Sequence, residues 1–452
     1  MIARHSRLDQ AVLTPLARMP LGYLLWVALL VAVVAWGLYA YFTQLSSGLI
    51  VTAMRNKIMW GLYISNFVFF IGISHAGTLI SAILRVAQAP WRMPITRMAE
   101  FITVVALMIG ALMPLIDMGR PDRVLNLFIY GRWQSPLLWD VLAISTYLAG
   151  SLIYLYLPLI PDLALCRDSI AQRVSPLKRW FYTTLSIGWA GTPSQHKKLG
   201  MAIGMMMVII IPVAISVHTV VSWIFAMTLR VGWNSTVLGI YFVAGAIFSG
   251  IATIIIVMAV LRKLYHLEEF ITVKHFRYLG YLMGAFAVIM VYFNLSEHLT
   301  TGYKVAEGEG FLLAQLMTGE FSSLFWLYSV GGLLVPMLLV FVPWTRTILG
   351  IVVASVLVDV SMWIERFLIV VPTLRVPLMP YEPGDYSPTW VEWSIIAAAF
   401  AAFMLIITLF SRLFPVISVW EVKEQEEREL AAQPRPGPER AVPIPGSASD
   451  GD

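Results

Sequence analysis

The sequence predicts an all-α polytopic membrane protein with ten transmembrane helices. Hydrophobic residues fill 59% of its 452 positions and charged residues only 13%, about half the ~25% of soluble domains. Mean hydropathy is +0.78. Apolar runs of about 20 residues, long enough to carry a helix across the hydrocarbon core, recur along most of the chain. An ordinary soluble enzyme and a disordered chain are therefore excluded. The single cysteine, Cys166, excludes a disulfide framework, a cysteine-ligated iron–sulfur cluster and a covalent c-type haem, each of which needs two or more thiols. Any electrons handled here must pass to redox centres on other chains.

The spans fall at residues 22–42, 59–84, 98–116, 137–160, 200–227, 237–261, 278–297, 324–342, 347–371 and 390–413. The first follows a basic approach (Arg4, Arg7, Arg18). It is longer than the apolar core of a signal peptide and no small-x-small cleavage site follows, so it reads as an uncleaved anchor. The eighth and ninth are joined by the short turn Pro343–Arg346 and form a tight antiparallel hairpin. Lys and Arg set the orientation: 22 lie on the side of the termini, 8 lie opposite, and Arg366 sits within a span. Both termini are expected in the cytoplasm. The net charge of +5 reflects this topology and implies no nucleic-acid partner. The cytoplasmic loop 161–199, with Trp180, Tyr182 and Trp189, is expected along the interface. The outer loop 299–323 is acidic (Glu307, Glu309, Glu320). The tail after Trp420 is charged and then Pro-rich, and reads as disordered or draped on a partner.

A shift of 178 residues lays the sixth span on the second. Gly61 and Tyr63 meet Gly239 and Tyr241; Phe70, Gly72 and Ile73 meet Phe248, Gly250 and Ile251; Arg85 meets Lys263. The echo predicts two four-helix bundles related by a parallel repeat, helices 2–5 and 6–9, flanked by helices 1 and 10. The organisation expected is a cytoplasmic segment 1–21, a first helix and outer loop 22–57, a first unit 58–227, a second unit 228–371, an outer loop and tenth helix 372–413, and a tail 414–452. His75 falls opposite Thr253, so the halves should not share its chemistry.

Ionisable groups are costly in a bilayer, at roughly 2.5–3.5 kcal/mol on insertion scales, and so mark candidate functional sites. His75 lies about 20 Å from the outer end of its span at 1.5 Å per residue, among small and hydroxyl residues. Asp140 lies near the outer end of the fourth span, and His218 in the outer half of the fifth. Glu297 and His298 end the seventh at the outer surface, near Asn294. Asp359 is mid-depth in the ninth, with Glu365 and Arg366 further out; these neighbours point about 100° apart and need not pair. Glu100 is expected to pair with Arg97 at i,i+3, and Glu392 to lie in the outer headgroup region. His75 and His218 are expected to differ by roughly 10 Å in depth, which argues against a haem between them. Metal-ligand spacings, glycine-rich nucleotide loops and Ser/His/Asp signals are absent.

Two segments carry a resemblance: WGLYISNFVFFIGISHAGTLIS at 60–81 and SPLLWDVLAISTY at 135–147, with Trp91-Arg92, Arg97, Glu100 and Gly119-Arg120-Pro121 between them. They resemble the NrfD-like (polysulfide reductase membrane subunit) family, most closely the ten-span ActC subunit of bacterial alternative complex III. The resemblance implies a multi-pass subunit of the bacterial inner membrane that binds menaquinol near the periplasmic face and holds no cofactor of its own. Partners would be a periplasmic iron–sulfur protein, cytochrome c subunits with c-type haems, and other membrane subunits. It implies His75 and Asp140 as the catalytic, proton-accepting pair, with Tyr63 and Asn66 lining the quinol approach. His75 either touches the quinone or belongs to a relay below it. His218, Glu297, His298, Asp359 and Glu365 remain as a candidate proton path. The alternative is a proton-coupled secondary transporter, against which stand the parallel repeat and the lack of paired broken spans at midplane.

Overall fold

The computed structural model describes Leu16 and residues 20–170, 174–306 and 308–424; the basic residues Arg4, Arg7 and Arg18, Glu307 and the Pro-rich tail lie outside the described residues. Ten helices long and apolar enough to span a membrane are present among them: α1 (Leu21–Ser47), α2 (Leu62–Val86), α3 (Met93–Asp117), α4 (Pro136–Ile170), α5 (Pro193–Ala226), α6 (Leu238–Leu264), α7 (Val273–Lys304), α8 (Ser322–Phe341), α9 (Ile348–Arg375) and α10 (Trp390–Leu413). All are far above the ~12–15 residues at which an isolated helix becomes marginal. A capping box of Thr192 with Gln195 fixes the start of α5, and side chains of the first turn cap the others: His275 accepts from Thr272 N at α7 and Glu392 from Thr389 N at α10. The ends of α1 and α10 that meet the chain termini define one face of the molecule, the terminal face; the opposite one is the far face.

Position in the bundle follows from burial. Only 11% of the apolar stretch of α1 is buried, against 88% for α2, so α2 is the central helix and α1 a peripheral one. Helix α2 packs on α3, α5, α6 and α9, while α1 packs on α10. Small residues make the close approaches, as expected where lipid gives no hydrophobic drive between helices. A Cβ at Gly77 would run into the Ala99 carbonyl and Thr103 Oγ1 on α3, and one at Gly37 into Ala398 on α10. Gly72 faces Ala246 and Ser249 at 3.7 and 3.6 Å, so the two helices aligned by the 178-residue echo pack directly against each other.

Most helices overrun their expected bounds, three of them by two turns or nearly so. Helix α4 continues to Ile170, α5 begins at Pro193 and α7 runs to Lys304, because hydropathy marks only the lipid-facing part of a helix. Between α4 and α5 the chain forms a short helix, Pro176–Leu185, tied down by Tyr182, which donates to the Leu413 carbonyl at 2.9 Å. Glu297 and His298 sit within α7 rather than at its end. Within α8 the stretch Leu327–Leu334 is π-helical, and a Cβ at Gly332 would collide with Ser361 of α9.

Several expected pairings are corrected by the packing. Glu100 accepts from Ser81 at 2.7 Å and faces Arg85 at 3.5 Å. Its expected partner Arg97 is instead held by Asp162 of α4. Glu392 is fully buried, accepting from Ala53 N at 2.7 Å and Tyr386 Oη at 2.5 Å, so it fastens the 376–389 segment and the α1–α2 connection instead of meeting headgroups. Glu365 and Arg366, neighbours in sequence, do approach at 2.8 Å, but without the alignment of a hydrogen bond.

Candidate functional site

The sequence-predicted residues divide among three environments. His75 and His218, expected at different depths, are in contact: their ring centroids are 4.2 Å apart. Rise counted from the end of one helix does not fix its register against another, and packing brings the two rings together. Both histidines are fully buried. His75 Nδ1 lies 3.2 Å from the Ile71 carbonyl and Nε2 contacts the Ala214 carbonyl. A neutral imidazole has one N–H and serves one of these acceptors; an imidazolium serves both. Neither ring nitrogen of His218 has a hydrogen-bond partner.

Tyr147 joins this pair from α4. Its ring lies 5.3 Å from His75, and its hydroxyl donates to the Ser74 carbonyl at 3.1 Å, which also accepts from Thr103 Oγ1 at 2.7 Å. Asp140 stands seven residues earlier on α4, two turns towards the far face and so on the same side of the helix, about 10 Å away by rise. It is 5% exposed, and its Oδ1 has no hydrogen-bond partner. In the other direction the same face carries Ser151 and Tyr154. Tyr154 Oη meets Ser81 Oγ at 3.2 Å, and Ser81 leads to Glu100, Arg85 and Glu421. Asp140, Tyr147, Ser151 and Tyr154 thus form one polar stripe along α4. Sequence reasoning found only its first member; the spacing i, i+7, i+11, i+14 was the available signal.

Tyr63 and Asn66 are not brought to this cluster. They lie about 120° and 180° around α2 from His75 at 100° per residue. Tyr63 donates to Gln44 of α1 at 2.7 Å; Asn66 accepts from Trp363 of α9 at 3.2 Å and contacts Met113 of α3.

The remaining proton-path candidates lie in the second half. Asp359 accepts from Thr253 at 2.8 Å, at the position the echo places opposite His75, and its Oδ1 is unpartnered. Glu297 accepts from Ser235 at 2.9 Å, while His298 meets its own helix at the Asn294 carbonyl, 2.8 Å away. Glu365, Glu297 and His298 line one cavity between α6, α7, α8 and α9. Among the described residues no group of three or more His, Cys, Asp or Glu could hold a metal.

Comparison with known proteins places this architecture. Residues 50–377 match the family described as Polysulphide reductase, NrfD. The chain belongs to the NrfD family. Its relatives within this family include the Hdr-like menaquinol oxidoreductase integral membrane subunit of Archaeoglobus fulgidus, 24% identical over 89% of this chain and 96% of the relative. The integral membrane subunit of the menaquinone reductase of Nitratidesulfovibrio vulgaris is 23% identical over 87% of this chain and 92% of its own. A selenate reductase subunit from Mesobacillus selenatarsenatis is 25% identical over 88% of this chain and 95% of its own. The NrfD match covers α2 to α9, while α1 and α10 flank it.

Proposed function

We propose that this NrfD-family chain is the quinol-binding and quinol-oxidising integral membrane subunit of a multi-subunit oxidoreductase, with its headgroup site at Asp140. The observation that carries the reading is the buried, unpartnered carboxylate oxygen of Asp140 at the far-face end of a polar stripe that leads to the His75–His218 pair. A quinol gives up two electrons and two protons. Asp140 is placed to accept a headgroup hydroxyl and its proton, and His75 to hold a proton between two carbonyls. The electrons leave through an iron–sulfur subunit docked on the far face, and onward through c-type haems, in an arrangement like alternative complex III. In that arrangement the far face is periplasmic, both termini are cytoplasmic and the membrane is the bacterial inner membrane. The menaquinol named for the Archaeoglobus relative supports menaquinol as the substrate. Asp359 on α9 and the Glu100–Glu421 end of the stripe extend the candidate proton path.

The test is quinol-dependent acceptor reduction by the intact complex carrying Asp140→Asn or His75→Ala. Each is expected to lose at least about 100-fold, the lower end of what a positioned acid–base group contributes, with complex assembly unchanged. Wild-type turnover in both would refute the site.

A further inference from the structure

We infer that the second half of the chain contains its own binding site for a quinone-class ring, separate from the Asp140 site. The proposal takes its ligand class from the quinol reading; its location rests on the cavity itself.

The cavity measures about 110 Å³. One water occupies roughly 10–15 Å³ on this measure, so the space suits a ring system better than a single ordered water. It lies towards the far face, roofed by Leu312 and Leu316 of the short helix Glu309–Met317. Its polar lining is Tyr241, Asn294, Glu297, His298, Tyr328 and Glu365. Thr301 and Thr373 add hydroxyls, and the rest is apolar, including Phe293, Phe325 and Leu368. Buried polar groups are normally paired, and here two have polar neighbours but no well-aligned hydrogen bond. Asn294 is 8% exposed and faces the Tyr328 hydroxyl, and Glu365 is 2% exposed beside Arg366 and the Tyr241 hydroxyl. Tyr241 and Tyr328 place their hydroxyls 3.1 Å apart on the same wall. Tyr328 reaches it from the π-helical stretch of α8, and such stretches occur frequently at functional sites.

These groups define the ligand chemistry. Arg366 lies 2.8 Å from Glu365 and offsets its charge, and with Glu297 on the same lining an anionic guest would add a buried, uncompensated charge. An acyl chain would offer Asn294 and Glu365 no aligned hydrogen-bond partner. A flat neutral ring bearing both an acceptor for Asn294 Nδ2 and a hydroxyl for Glu365 satisfies both while its faces meet Phe293 and Leu368. Quinols have that combination. The echo adds an independent point: Tyr241 is the counterpart of Tyr63, yet Tyr63 is spent on Gln44, whereas Tyr241 opens on the cavity.

The test uses the purified complex titrated with heptyl-hydroxyquinoline N-oxide, whose fluorescence is quenched on binding at quinol sites. Wild type is expected to bind about two equivalents per chain. Leu316→Trp, which fills the cavity, and Asn294→Leu, which keeps its volume, should each reduce this to about one. The remaining equivalent should disappear with Asp140→Asn. A single equivalent in the wild type, or a stoichiometry unchanged by both cavity variants, overturns the inference. Loss of an equivalent in the cavity variants with none lost in Asp140→Asn supports the inference and refutes the Asp140 site instead.

Discussion

Replacing Asp162 with Asn should release the C-terminal segment from the terminal face. Asp162 is fully buried and Arg97 is 1% exposed, in direct contact with it. The carboxylate also accepts the backbone N–H groups of Val419 and Trp420, each at 3.1 Å. Arg97 in turn donates to the Pro158 carbonyl at 2.7 Å and to Ser418 Oγ at 3.1 Å. One ion pair therefore ties α3, α4 and residues 415–420 together. Removing its negative charge leaves a buried guanidinium uncompensated, which costs about 3–5 kcal/mol. The segment after α10 can detach and hydrate Arg97, so the loss should appear there rather than as collapse of the bundle. At about 1.4 kcal/mol per decade, as RT sets it, amide protection at Val419 and Trp420 should fall by about two to three and a half decades. Hydrogen exchange of the solubilised complex measures this, and limited proteolysis after α10 checks it. The double replacement Arg97→Leu with Asp162→Leu removes both charges and should restore much of the bundle's stability. Protection unchanged within a factor of about three in Asp162→Asn would refute the reasoning.

Other expectations follow from the same geometry. Gly77→Val should lower the melting temperature and the yield of assembled complex, because its side chain meets α3 backbone at Ala99; overpacking of this kind costs about 1–3 kcal/mol. Burial alone would raise the Glu421 carboxyl, but Arg85, Arg92 and Arg97 override it and hold the group below the ordinary glutamate range. Its contribution is therefore complete above about pH 4.3 and is lost as pH falls through the lowered folded value. Melting curves should show wild type losing more stability than Glu421→Gln on acidification through that window. His75→Gln keeps N–H donors for a carbonyl but cannot take up a proton, so quinol-dependent turnover should fall and its pH profile flatten on the acid side. A profile of unchanged shape would remove His75 from proton handling.

The α4 stripe shows how far the sequence could be read. Asp140 stood out because a carboxylate in an apolar run is conspicuous, but Tyr147, Ser151 and Tyr154 are ordinary span residues until α2 and α3 are set beside them. The opposite happened with Tyr63 and Asn66. They share a segment with His75, and only the rotation of α2 among its neighbours turns them towards Gln44 and Trp363. Glu100 and Arg97 illustrate the same limit: the i,i+3 spacing permits a pair, yet each has a better partner on another helix.

Span number and membrane character were fixed locally, because transfer of a helix into lipid sums over its own side chains and needs no neighbour. The prominence of His75 and Asp140 was likewise readable, since an ionisable group in an apolar run is anomalous wherever the helix packs. Contact between His75 and His218, the cavity around Asn294 and Glu365, and the clamp of Asp162 on the C-terminal segment were decided by tertiary structure alone. They depend on how far each helix slides and turns against the next, and a shift of one residue moves a side chain by about 1.5 Å along the axis and about 100° around it.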